Sequence, residues 1–336
     1  MTASVRAALV AISLFCLIAI GTIARAFIDN GVSADPSQFP YVVRLVGADP
    51  GRDCTGTIIG PNTILTAAHC VSGLDPKSPK LSIHLPDGHI VAAAEFLAHP
   101  GSDSRRMESW SFGASNSPDA LKSSGLEYLR LVKSELAVVK PDPSVHFTQW
   151  VEVDPTPPAP GQQVTLVGYG MNSKIDHSGN GPLRSGTNQL QWESQGVLFL
   201  AGRASDKLDP NTADPKPDGQ EASPDRGDSG GPLFSNGRLI GVVVASQEVL
   251  GVGESYGLMN KALDAATGHL LERGDELLWC FYASINDSES LGFLTKTATA
   301  QGYQISWAKQ NAPVLAPTLK SSPAFDELQS GGDFSR

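Results

Sequence analysis

Positive charge is the scarcer sign in this sequence: 25 Lys and Arg stand against 35 Asp and Glu, a formal net charge of −10. That balance opposes binding to nucleic acid or to an anionic membrane surface, which are held by clustered Lys and Arg. Cysteine is scarce too, with four in the chain. Cys16 lies in an N-terminal apolar run, which leaves Cys54, Cys70 and Cys280, and three cannot all pair within one chain. Beyond the N-terminus there is no second apolar segment of spanning length, and no internal repeat. Before residue 260 there is little helical periodicity. What remains is a globular protein with protein or peptide partners: 40% of its residues are hydrophobic and 18% charged, enough apolar content for a sizeable core.

What is present begins with a leader. Arg6 precedes an apolar run from Ala7 to Ala24, and Ala24-Arg25-Ala26 has the small-x-small form that signal peptidase reads. Residues 1–26 are read as a secretory signal; the other reading is a retained anchor, since the run is about as long as the shorter spanning helices. Loss of the signal makes the mature chain two charges more negative, through Arg6 and Arg25, and places its thiols outside the cytoplasm, in an extracellular or periplasmic compartment where they can oxidise.

From Phe39 to Gly60 and from Val164 to Tyr169, short runs rich in Val, Ile, Thr and Leu are separated by Gly, Pro, Asn and Asp. This is the pattern of all-β barrels or sandwiches. The proline-rich "VDPTPPAPGQQ", Val153 to Gln163, joins two such β regions, near 28–150 and 164–285, within one domain over 27–301. Residues 101–128 and 204–224 are polar and read as surface insertions. The segment 247–279 has helical spacing around "LMNKALDAATGHLLERG". A last helix is expected over 288–301, with Ser288 as N-cap, Gly302 as stop and Leu291, Leu294 and Ala298 on one face; 302–336 reads as a loosely ordered tail.

Two short motifs carry chemistry. In "RGDSGGPLF", Arg226 to Phe234, glycines around Ser229 let the backbone turn tightly, so that a hydroxyl stands exposed while main-chain N–H groups point at one spot; the plainer reading is a polar turn. In "ILTAAHC", Ile64 to Cys70, an apolar strand and small residues lead to His69. Cys54 lies sixteen residues before Cys70, a spacing over which a disulfide can pin the histidine. A third stretch, "KSELAVVKP", puts Glu135 at the mouth of a short apolar run; alone it reads as a rim residue.

Together these motifs resemble the trypsin and chymotrypsin family of serine proteases. The resemblance runs from "IDNGVSADPSQFPYVVRL" through "TAAHC", "SELAVVK", "LVGYG" and "GDSGGPL" to "LIGVVVAS", most of residues 28–246, in the family's order of His, acid, Ser. It implies an all-β fold of two six-stranded antiparallel β-barrels with a C-terminal helix and the active site in the cleft between the barrels. Ser229 is then the nucleophile, His69 the general base, and Glu135, where the family has Asp, the acid that orients His69. Asp142 and the acids of 101–128 are the alternatives to Glu135. The N–H groups of Gly227 and Ser229 would form the oxyanion hole, and Val244, Ala245 and Ser246 would lie along the substrate backbone. Asp228 would pair with a new N-terminus at Ile28, although a cut after Ala26 leaves Phe27 in front of it.

Ser223 falls on the floor of the primary pocket, where trypsin-like enzymes carry an acid, so cleavage after Lys or Arg is not supported by that position. For the strand that closes the second barrel, "CFYASI", Cys280 to Ile285, is preferred over "GESYGLM" and "LGFLTKT". Asp225 stands where the family has a cysteine near the nucleophile. The resemblance implies a secreted endopeptidase that needs no metal or cofactor. A non-catalytic homologue that binds a partner, and an esterase using the same groups, are the rival readings.

Overall fold

A computed structural model of the chain describes residues 28, 31–48, 53–110, 117–170, 181–203, 220–246, 254–271 and 277–309. The expected signal over 1–26, residues 204–219 and the tail beyond 309 lie outside the described residues.

The fold is mostly β. After a two-residue strand β1 (Val32–Ser33), six strands form a closed barrel: β2 (Val42–Gly47), β3 (Asp53–Gly60), β4 (Thr63–Thr66), β5 (Leu81–His84), β6 (Ile90–Ala98) and β7 (Ala137–Pro141), in the order β2-β3-β4-β7-β6-β5. A second set, β8 (Gln163–Gly168), β9 (Arg184–Ser194), β10 (Val197–Arg203), β11 (Pro232–Ser235), β12 (Arg238–Ser246) and β13 (Leu277–Ser284), closes through the pairing of β8 with β9, and β1 adds to the outside of β9. All pairings between these strands are antiparallel. Local chemistry makes the tight hairpins: Gln195-Gly196 between β9 and β10, and Asn236-Gly237 between β11 and β12, all have positive φ, as a two-residue turn that follows the strand twist requires.

The closing strand is β13, which contains the preferred "CFYAS" segment; the competitor "GESYGLM" lies in helix α3 (Glu254–Thr267) and "LGFLTKT" in the C-terminal helix. Within the 101–128 surface insertion the described residues form α1 (Ser104–Glu108) and the start of α2 (Pro118–Lys133), whose last turns bury Tyr128, Leu129, Leu131 and Val132. Ser117 caps α2 through Ala120 N–H, with Pro118 in its first turn. Gly125 allows α3 to approach closely: a Cβ there would lie 2.1 Å from the Ala262 carbonyl oxygen. Tyr128 then packs edge-on against Phe281 of β13, at 5.9 Å between ring centroids, so the insertion is fastened to the second barrel.

The C-terminal helix α4 (Ser288–Gly292) runs on as a π-helical turn over Phe293–Ala298. Its cap is Asp287, not Ser288, because the Asp287 carboxylate accepts the N–H groups of Glu289 and Ser290. Residues 302–309 also depart from the expected loose tail. Tyr303 is buried, Ser306 N–H donates to Ile59 O, Val153 N–H to Ser306 O and Ala308 N–H to Val153 O. The segment completes hydrogen bonds that the first barrel and the connector leave open. Among the described residues no helix is long and apolar enough to cross a membrane.

Candidate active site

The register of β4 against β7 decides which residues meet at the edge of the first barrel. Thr66 pairs with Ala137, and the strands are antiparallel, so the chain leaving β4 runs beside the chain entering β7. His69 sits there in a single 3-10 turn, Ala68–Cys70, and Glu135 comes from the end of α2. Ala68 N–H donates to Glu135 O, and His69 N–H to Glu135 Oε2 at 2.9 Å. His69 Nδ1 lies 3.2 Å from the same Oε2. Glu135 is fully buried and the His69 side chain 14% exposed. The extra methylene of Glu over Asp is absorbed because the acid sits where a helix runs directly into the strand: Glu135 N–H still bonds Val132 O, and Leu136 N–H bonds Ser134 O.

Cys54 and Cys70 form a disulfide that ties β3 to the His69 turn. Together with His69 they bring three ligand-type atoms close, but the two sulfurs are bonded to each other and offer no thiolate to a metal. Ser229 is held from the same side: Thr55 N–H of β3 donates to Ser229 O at 2.9 Å.

The turn bearing Ser229 is built as its glycines suggest. Gly227 and Gly230 have φ of 90° and 79°, and a Cβ on Gly230 would lie 2.0 Å from Thr66 Oγ1. Gly230 N–H bonds Val243 O, and Thr55 Oγ1 bonds Gly227 O. Among the described residues no acceptor faces the N–H of Gly227 or Ser229, and both residues line one cleft with His69. That cleft, about 760 Å³, is walled by Val244, Ala245 and Ser246 of β12 and by Arg105, Met107, Trp110 and Tyr128 of the α1–α2 insertion. Asp228 points inward: Oδ1 accepts Gly170 N–H and Oδ2 accepts Asp225 N–H. Ile28 is buried in the core of the second barrel with Tyr282, whose hydroxyl pKa is pushed up by burial and by the nearby Cys280 and Asp228.

The structure thus brings together His69, Glu135, Gly227, Ser229 and the β12 residues. It does not bring Ser223 to the cleft. Ser223 is fully buried, and Gly202 of β10 packs so closely that a Cβ there would lie 2.5 Å from Ser223 Cβ. Beside it, Cys280 pairs in register with Ser246 and is fully buried. Asp142 is exposed and bonded to Ser144. The insertion residues on the cleft wall, and Ser104 beneath them, were not singled out from sequence. The one available signal was the Ser-Pro-Asp start of α2, which announces a helix within the surface insertion.

A venom serine protease of Polistes dominula is 52% identical over 42 residues, 12% of this chain and 15% of that protein's length. A trypsin of Saccharopolyspora erythraea is 27% identical over 222 residues, covering 63% of this chain and 84% of the relative. Trypsin alpha-4 of Lucilia cuprina is 25% identical over 223 residues, 64% of this chain and 75% of the relative. A solved structure of a scabies mite inactivated protease paralogue aligns with a TM-score of 0.49 and 16% identity over 83% of this chain and 99% of that one. With residues 28–266 matched by the family model for trypsin, the chain belongs to the trypsin family.

Proposed function

We propose that this chain is a secreted serine endopeptidase that hydrolyses peptide bonds through an acyl-enzyme, with Ser229, His69 and Glu135 as its triad. The observation that carries the reading is the buried Glu135 carboxylate, which bonds both the main chain and the ring of His69 at the mouth of the cleft that holds Ser229. With Oε2 at Nδ1, the ring carries its proton there and turns a free Nε2 toward the cleft. Ser229 Oγ loses its proton to that nitrogen as it attacks the carbonyl carbon, and the imidazolium returns the proton to the leaving amine. Water then repeats the cycle on the ester. The N–H groups of Gly227 and Ser229, which no acceptor faces among the described residues, receive the oxyanion, each donor typically worth ~3 kcal/mol of barrier.

Asp228 supports the turn by holding two backbone N–H groups; in the mature enzyme a new N-terminus at Ile28 would add its ammonium there. Ser223, expected at the floor of the primary pocket, is fully buried and offers no carboxylate, so selection for Lys or Arg at the cleaved bond is not part of the proposal. The domain is proposed over 27–301 behind a signal at 1–26, with residues 302–308 packed onto it.

The test exposes the purified mature protein to a fluorophosphonate, with Ser229→Ala as control, and reads the adduct by mass. A single adduct on Ser229 is the expected result. No adduct on a folded chain whose N-terminus is Ile28 would sink the enzyme reading and leave a protein that binds without cutting.

A further inference from the structure

A carboxylate buried away from water needs donors for both of its oxygens. At Glu135, Oε2 is served by His69. Oε1 is served by a different residue: the Ser104 hydroxyl lies 2.9 Å from Oε1 and 3.1 Å from Oε2. Among the described residues no other donor reaches Oε1. Ser104 is itself buried.

Ser104 belongs to neither barrel. It opens α1 behind Asp103, whose Oδ1 accepts Arg106 N–H. The loop before it is clasped to the strand that carries the acid: His99 N–H donates to Leu136 O, His99 Nδ1 accepts Gly101 N–H, and Ser102 Oγ donates to His99 O. From the opposite wall β12 offers no such hydroxyl. Val244 and Ala245 are apolar there, and among the described residues Ser246 Oγ has no hydrogen-bond partner.

We propose that Ser104 is a positioning residue, its hydroxyl bridging both oxygens of Glu135 so that Oε2 stays on His69. The terminal torsion of a Glu side chain is broad, and one methylene more than Asp leaves more freedom to restrain. The insertion that walls the cleft thereby also sets the acid. This inference rests on the triad read above.

The test measures the second-order rate at which diisopropyl fluorophosphate labels Ser229 in the full mature chain, with urea midpoints to check folding. Ser104→Ala should label ~10- to 100-fold more slowly, the effect of removing a hydrogen bond to a charged group. Ser104→Cys, of similar size but a weak donor, should be slow as well, and Ser104→Thr should recover the rate. Asp103→Ala, which removes the α1 cap and keeps the hydroxyl, should label like the wild type. If Ser104→Ala does not fold, the Cys and Thr pair decides. Labelling of Ser104→Ala at the wild-type rate, or a Thr variant as slow as Cys, overturns the inference while leaving the triad standing. A wild-type chain that does not label overturns the triad itself, and this inference with it.

Discussion

At the scale of single residues, the proposed activity turns on one carboxylate. Glu135 reaches His69 because it approaches from a helix end, and its length is matched to that approach. Glu135→Gln keeps the shape but places an amide where Nδ1–H must be accepted. Turnover should fall by about 10⁴, a magnitude carried over from loss of the acid in the family's own triad. Glu135→Asp keeps the charge and shortens the arm. It should cost ~100-fold, the scale of a misplacement of about one ångström, and it should not restore a family-like rate although it restores the family's residue. Fluorophosphonate labelling rates on both variants check this; an Asp variant as fast as wild type would mean that the acid's position does not depend on α2. Ser104 belongs to the same scale, as the donor that completes the carboxylate's hydrogen bonds.

At the scale of elements, the α1–α2 insertion joins cleft wall, acid and closing strand. Its base is clasped by His99, which is buried and whose pKa is pushed below 6.5, chiefly by burial, against the opposing pull of Glu289 and Asp287. Nδ1 must stay unprotonated to accept Gly101 N–H. The unfolded chain therefore takes up the proton first: the stability His99 contributes is complete above its unfolded value and is lost as pH falls below it. Between about pH 7.5 and about pH 5, His99→Asn, which keeps an acceptor without a titrating group, should lose less stability than wild type. Urea melts at the two pH values give the comparison; equal losses would show that the clasp does not titrate. This helix pair was only partly legible in sequence. The buried apolar residues of α2 crowd into its last turns, while its first half, Pro118–Gly125, has only Ala120 and Leu121 as apolar side chains besides the proline, so the amphipathic period is weak there.

At the scale of the whole molecule, chain segments far apart in sequence converge on one cleft, and covalent and C-terminal ties hold them there. The Cys54–Cys70 bridge spans 16 residues around the hairpin that leads to His69. Replacing both cysteines by Ala should lower unfolding free energy by ~3 kcal/mol on the loop-closure scale, read by urea denaturation. It should slow labelling as well, because the His69 turn loses its anchor to β3. A variant of unchanged stability would mean that the hairpin is fixed by β3–β4 pairing alone. The segment from Gly302 to Ala308 is the other tie, since it bonds Asn62, Ile59 and Val153.

What the sequence determined by itself was local. The short Val-, Ile-, Thr- and Leu-rich runs, the "GDSGG" turn with glycines at positive φ, the histidine beside its cysteine and the apolar run behind Glu135 each follow from a few neighbouring residues, and the structure contains each of them. Which acid met His69 was approached by resemblance. The register of β4 on β7 is what places Glu135 against the ring. Tertiary structure alone decided the rest. Ser104 lies 31 residues from Glu135, and nothing in its own neighbourhood marks it. Ser223 is buried against Gly202 of another strand, a contact its own neighbourhood does not announce. In each case the deciding contact is between segments whose separation in space depends on how both barrels close, a quantity that no short stretch of sequence encodes.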